Sequence, residues 1–181
     1  SHFYPESDTV ERFAQRRART LEQLRSQYHG SIRILPGAEV HLCPGLDHLA
    51  GLEQLCVEGT NVILLELPFQ PVSNAMWETL VRFADAPLRP VLAHVDRYSS
   101  GTIESLFDLG FPGQLNAEGL CRLRGRGLLL DWIDEGYILA LGSDIHGTDV
   151  GYRQWNKARK LLRDRFDTIQ SRTEELLEDI L

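Results

Sequence analysis

Cysteine is scarce in this 181-residue chain, and the three present, Cys43, Cys56 and Cys121, fall at no zinc-type or redox spacing. An odd number of scattered thiols argues for a reducing compartment, so the cytoplasm is the expected location. Long hydrophobic runs are missing too. No stretch approaches the roughly 20 apolar residues of a membrane span, and no signal-peptide pattern is read at the start. Positive charge is in deficit, with 19 Lys and Arg against 26 Asp and Glu and a formal net charge of −7. Such a surface repels nucleic acid and anionic membranes, so neither is expected as a partner. An anionic substrate would need local positive charge from a metal ion or a well-placed arginine. No Gly-rich phosphate or dinucleotide loop, linker, low-complexity tract or internal repeat is present, which weakens a doubly wound open sheet as the architecture.

What is present, 43% hydrophobic and 25% charged residues, fits one globular domain over residues 1–181. The chain alternates short apolar runs with amphipathic stretches, the pattern of an α/β fold on a parallel sheet. A helix is expected from Asp8, with Glu11 completing a capping box and Gly30 as its stop. Ser31–Leu35 reads as a brief strand, and 42–60 as one or two short helices interrupted by Gly45 and Gly51. Asn61–Pro68 is the clearest strand, its continuous apolar run implying burial on both faces. Ser73 caps the next helix. Strands follow near Pro90–Ala93, Gly113–Asn116 and Tyr137–Gly142, then an amphipathic helix over 152–165 and another from Thr173. Arg122, Arg124 and Arg126 read as a solvated face that could also meet an acidic partner.

The strand ends carry the chemistry. Glu39 follows the first short strand, Glu66 closes the apolar run before Pro68, and His94 ends another with Asp96 and Arg97 beyond it. Asp144 and His146 stand two apart after Gly142, on one side of an extended segment. His41 either shares a face with Glu39 or points to solvent. Each residue has a bland explanation: Asp144 as a helix cap, Glu66 as an outward edge residue, His94 as a hydrogen-bonded core histidine, His2 as a loose terminus. Nearly every strand finishing in a carboxylate or imidazole does not. Polar residues gathered at strand ends favour a barrel with its chemistry on the C-terminal rim. Mixed oxygen and nitrogen donors without cysteine suit Mn, Fe or Zn in a hydrolytic site with more than one ion.

In order, His2-Phe-Tyr-Pro, Pro36-Gly-Ala-Glu39-Val, Leu65-Glu66, Ala93-His94-Val-Asp-Arg97-Tyr98 and Gly142-Ser-Asp144-Ile-His146 resemble the polymerase and histidinol phosphatase (PHP) superfamily. Within it they look most like bacterial capsule and exopolysaccharide tyrosine-protein phosphatases, a likeness that Gln114-Leu-Asn116 shares. The resemblance implies a distorted (β/α)7 barrel of the TIM-like type and a multinuclear site, most commonly of manganese. The implied substrate is phosphotyrosine on the tail of a tyrosine autokinase. Carried over, Glu39, Glu66, His94 and Asp144 would hold one set of ions, with Glu39 bridging; His2 and His146 would hold a further one, and Arg97 would grip the phosphate. The family opens with a His-x-His strand end and an Asp-Asp-Gly loop, so the first β-α unit, on the order of 40 residues, is expected to be missing from the given chain. Asp96 stands where the family usually has Glu, and Gly147 where Asn is common. A histidinol-phosphate-type phosphoesterase and a non-catalytic binding module of the same fold are the alternatives.

Overall fold

A computed structural model describes residues 2–145 and 149–178. The chain falls into two compact units, one up to Pro90 and one from Val91 onward, each carrying three parallel strands covered by helices.

In the first unit β1 (His2–Phe3) pairs in parallel with β2 (Glu39–His41), and β2 with β3 (Val62–Glu66). The register sets Phe3 beside Val40 and Val40 beside Leu65, and all three are fully buried. Because side chains alternate, the opposite face must carry His2, Glu39, His41 and Glu66 together. Helix α1 (Val10–Gln27) packs Phe13 edge-on against Phe3, ring centroids 5.4 Å apart. Its cap is Thr9, whose side chain accepts from the Arg12 amide, rather than the expected Asp8. Asp8 instead accepts from the Thr9 amide and pairs with Arg16 at 2.7 Å. The expected strand at 31–35 is irregular: Ile32 is 75% exposed, so its apolar side chain gains nothing from an extended pairing. Residues 42–60 resolve into two single 3₁₀ turns, Leu46–His48 and Leu52–Leu55, each entered through a left-handed glycine, Gly45 and Gly51. Asp47 in the first turn takes a two-point bond from Arg82 of α2 (Asn74–Ala84), at 2.6 and 3.1 Å. Ser73 caps α2 as expected.

β4 (Arg89–Leu92) begins just before the division at Pro90; it pairs in parallel with β5 (Gly113–Asn116), and β5 with β6 (Ile138–Gly142), with a register shift between Gly113 and Gln114. Helices α3 (Ser100–Asp108), α4 (Ala117–Cys121) and α5 (Arg126–Asp134) connect them. Arg126 is no solvated cation: it donates to the Leu120 and Cys121 carbonyls at the end of α4, where a positive charge is favourable. After β6 come α6 (Asp149–Leu162) and α7 (Asp164–Leu176). The turn between them sits at Arg163, with φ 52°, earlier than the sequence suggests, since neither Gly nor Pro marks it. Helix α7 is tied to β6 by Thr173 Oγ1 donating to the Leu139 carbonyl at 2.7 Å and by Arg172 donating to that of Ile138, and to α5 by Arg172 donating to the Ile133 carbonyl. No described helix is long and apolar enough to cross a membrane.

Candidate functional site

Chemistry-bearing side chains gather at strand ends in both units. In the first, His2, Glu39 and Glu66 each place one donor atom within 4.8 Å of the other two. His2 Nε2 lies 3.6 Å from Glu39 Oε1; the His2 side chain is 36% exposed, that of Glu39 17% and that of Glu66 9%. Strand register produces this group. His2 and Glu39 are Cα partners, Glu39 is partnered with Leu64, and Glu66 follows Leu64 by two residues on the same face. A half-buried and a buried carboxylate this close repel unless a cation or a shared proton lies between them. Two oxygen donors and one imidazole, with no thiolate, are the donor set of a hard to borderline divalent ion, so these residues fit a metal.

In the second unit the polar residues form one connected network. His94 follows β4 with its backbone in the left-handed region (φ 34°), is 2% exposed, and packs its ring against Tyr98 at 5.7 Å. Its amide donates to Gln114 Oε1 at 2.7 Å, and Gln114 Nε2 donates to Asn116 Oδ1 at 3.0 Å. Asn116 Nδ2 donates in turn to Asp144 Oδ2 at 3.0 Å, the oxygen that also receives Arg97 Nη2. Asp144, like His94, is a non-glycine residue at positive φ (47°). Two such residues at the ends of two strands are the local strain that functional sites hold in place. Asp96 accepts from the Asn116 amide at 2.9 Å; burial pushes its carboxyl above the usual range, and the amide bond opposes that. A Cβ at Gly119 would collide with Asp96, and one at Gly142 with Gln114 Nε2, so both glycines make room for the network.

The structure therefore brings His2, Glu39 and Glu66 together, and separately joins Arg97 and Asp144, with the His94 amide reached from Asp144 through Asn116 and Gln114. His146 lies outside the described residues. Sequence reasoning missed Gln114 and Asn116 as site residues; their spacing was readable in the sequence, but the burial that gives it meaning was not. They are polar residues two apart in a strand buried along its whole length, which places both on one face. It also left His41 undecided; His41 shares the face of Glu66, its Nδ1 3.5 Å from Glu66 Oε2.

The class of protein the structure defines is a parallel α/β fold with carboxylates and imidazoles at its strand ends. The particular family follows from comparison: a family model described as "Capsular polysaccharide synthesis, CpsB/CapC" matches residues 2–178, and the chain belongs to that family. Among solved structures, a chain from the work on YwqE from Bacillus subtilis and CpsB from Streptococcus pneumoniae, described as metal-dependent tyrosine phosphatases, shares the fold. The match has a TM-score of 0.59 and 18% identity, and covers 83% of this chain and 72% of that one. No curated protein matches in sequence.

Proposed function

We propose that the chain is a metal-dependent protein-tyrosine phosphatase of capsule or exopolysaccharide synthesis, acting in the cytoplasm on phosphotyrosine, with the tail of a tyrosine autokinase as its substrate. The observation that carries the reading is the His2–Glu39–Glu66 group, three donors within 4.8 Å at adjoining strand positions, in a chain of the CpsB/CapC family. The metal ligands in this reading are His2, Glu39, Glu66, His94, Asp144 and His146, within one catalytic domain of distorted (β/α)7 barrel type, and manganese is the favoured ion, with iron or zinc able to replace it. When bound, such ions supply Lewis acidity and a water of lowered pKa.

The remaining work belongs to the chain's own side chains. Arg97 presents a planar fork suited to two phosphate oxygens, and Asp144, which accepts from it, fixes its direction before substrate arrives. Asn116 holds the same Asp144 oxygen from a second side, so the carboxylate cannot swing away with the guanidinium. Gln114 ties the His94 backbone to this network. Cys43 and Cys56 are poorly suited to nucleophilic attack, since burial raises the Cys43 thiol and pushes that of Cys56 up to about 11.

The test is hydrolysis of a phosphotyrosine peptide by the full-length protein with manganese. Chelation should abolish it and iodoacetamide should leave it intact. Arg97→Ala should lower kcat/KM by about 10²–10³-fold, the usual effect of removing one group that stabilises developing charge. Alkylation-sensitive, chelator-resistant activity would refute the proposal. Preference for histidinol phosphate over the peptide would move it to the sister phosphoesterases.

A further inference from the structure

His41 is a half-buried imidazole on the face of the proposed metal group, and nothing in the reading above uses it. It is the Cα partner of Glu66 on the neighbouring parallel strand, so the two side chains rise side by side. Its Nδ1 is buried and lies 3.5 Å from Glu66 Oε2. On its other side the Tyr4 ring packs at 5.4 Å, tilted by 45°, and Tyr4 in turn stacks on His2 at 6.1 Å. The imidazole is thus confined between an aromatic ring and a carboxylate. At 3.5 Å this contact is longer than a hydrogen bond, and the terminal torsion of a histidine is a broad one.

We infer that His41 is a positioning residue: its Nδ1–H donates to Glu66 Oε2 and fixes that carboxylate with its other oxygen presented to the metal. The inference rests on Glu66 being a ligand, as proposed above. A carboxylate with two equivalent oxygens rotates, and each ligand geometry it samples weakens the site. A donor on one oxygen selects one geometry, and removing such an outer partner commonly costs 10–100-fold in metal affinity. The Tyr4 ring, packed on the imidazole, keeps it from turning toward solvent.

The experiment is calorimetric titration of the metal-free full-length protein with Mn²⁺, with melting temperature recorded for each variant. His41→Phe, which keeps a ring and loses the donor, should weaken Mn²⁺ binding by at least tenfold. His41→Asn, whose amide can donate from nearly the same place, should lie within about threefold of the unaltered protein. If His41→Phe does not fold, His41→Ala removes the same donor with no demand for space. Unchanged affinity in the variants without a donor overturns the inference, and so does an equal loss in His41→Asn, which would mean that a donor at this place is not what counts. His2→Ala and Glu66→Gln separate this from the underlying reading. If they too leave Mn²⁺ binding unchanged the metal group itself is wrong, whereas if they weaken it and His41→Phe does not, only the role of His41 falls.

Discussion

At the scale of single residues, the backbone is bent where the chemistry is. His94 and Asp144 both take left-handed conformations that cost a residue with a β-carbon about 1 kcal/mol or more. Glycine at either position would relax the backbone and remove the functional group. Asp144→Gly should therefore leave the melting temperature unchanged or raise it while phosphatase activity is lost, a dissociation that thermal unfolding beside a hydrolysis assay would show. If both fell together, the bend would be incidental. Glu39, Glu66 and His94 stood out in the sequence as candidates because each interrupts or ends an apolar run, and the structure groups Glu39 and Glu66 with His2. Gln114 and Asn116 were overlooked because an uncharged amide in a short strand raises no alarm until its burial is known. His41 was undecidable, since which face a strand residue takes depends on a register that only the pairing reveals.

At the scale of elements, strand interiors read easily and helix entries less so. Val62–Glu66 could be found from its apolar run because both its faces are covered. Leu65, fully buried between Val40 and the rest of the core, should cost about 2–5 kcal/mol on replacement by Ala, measurable as a lowered urea midpoint. The cap of α1 was misplaced by one residue because Asp8 and Thr9 are both good caps, and the Arg16 guanidinium draws Asp8 away from the helix end. Thr9→Ala should cost about 1 kcal/mol by the same measurement. The strand expected at 31–35 failed for want of a buried face, which composition alone does not disclose. The tie between the Leu46–His48 turn and α2 carries a pH signature. The hydrogen bond from Arg82 holds the Asp47 carboxyl below its ordinary value of 3.8. A carboxyl lowered in the folded state stabilises it above the unfolded pKa, and that contribution is lost as pH falls below about 3.8 through the folded value. Urea titrations from pH 7 to pH 2.5 should show a shallower acid loss for Asp47→Asn than for the unaltered protein; parallel curves would rule the pair out as a contributor.

At the scale of the whole molecule, a surface bearing a net −7 charge is a poor host for a phosphorylated substrate unless positive charge is concentrated locally. Arg97 and the proposed ions meet that need, so raising the ionic strength should change KM for a phosphotyrosine peptide little while chelation removes turnover. The α/β class could be inferred from the alternation of apolar and amphipathic stretches. The division at Pro90 could not, because no composition change marks it. One contact reaches beyond this chain. A β-carbon at position 119 would occupy the volume of the Asp96 carboxylate, so the two sites cannot drift independently. Relatives with alanine or serine at 119 should carry a shorter or re-aimed residue at 96, and a glutamate there would demand a different path for the turn that begins α4. Paired substitutions at these two places, rather than either alone, are the route by which such proteins could exchange one acid for the other.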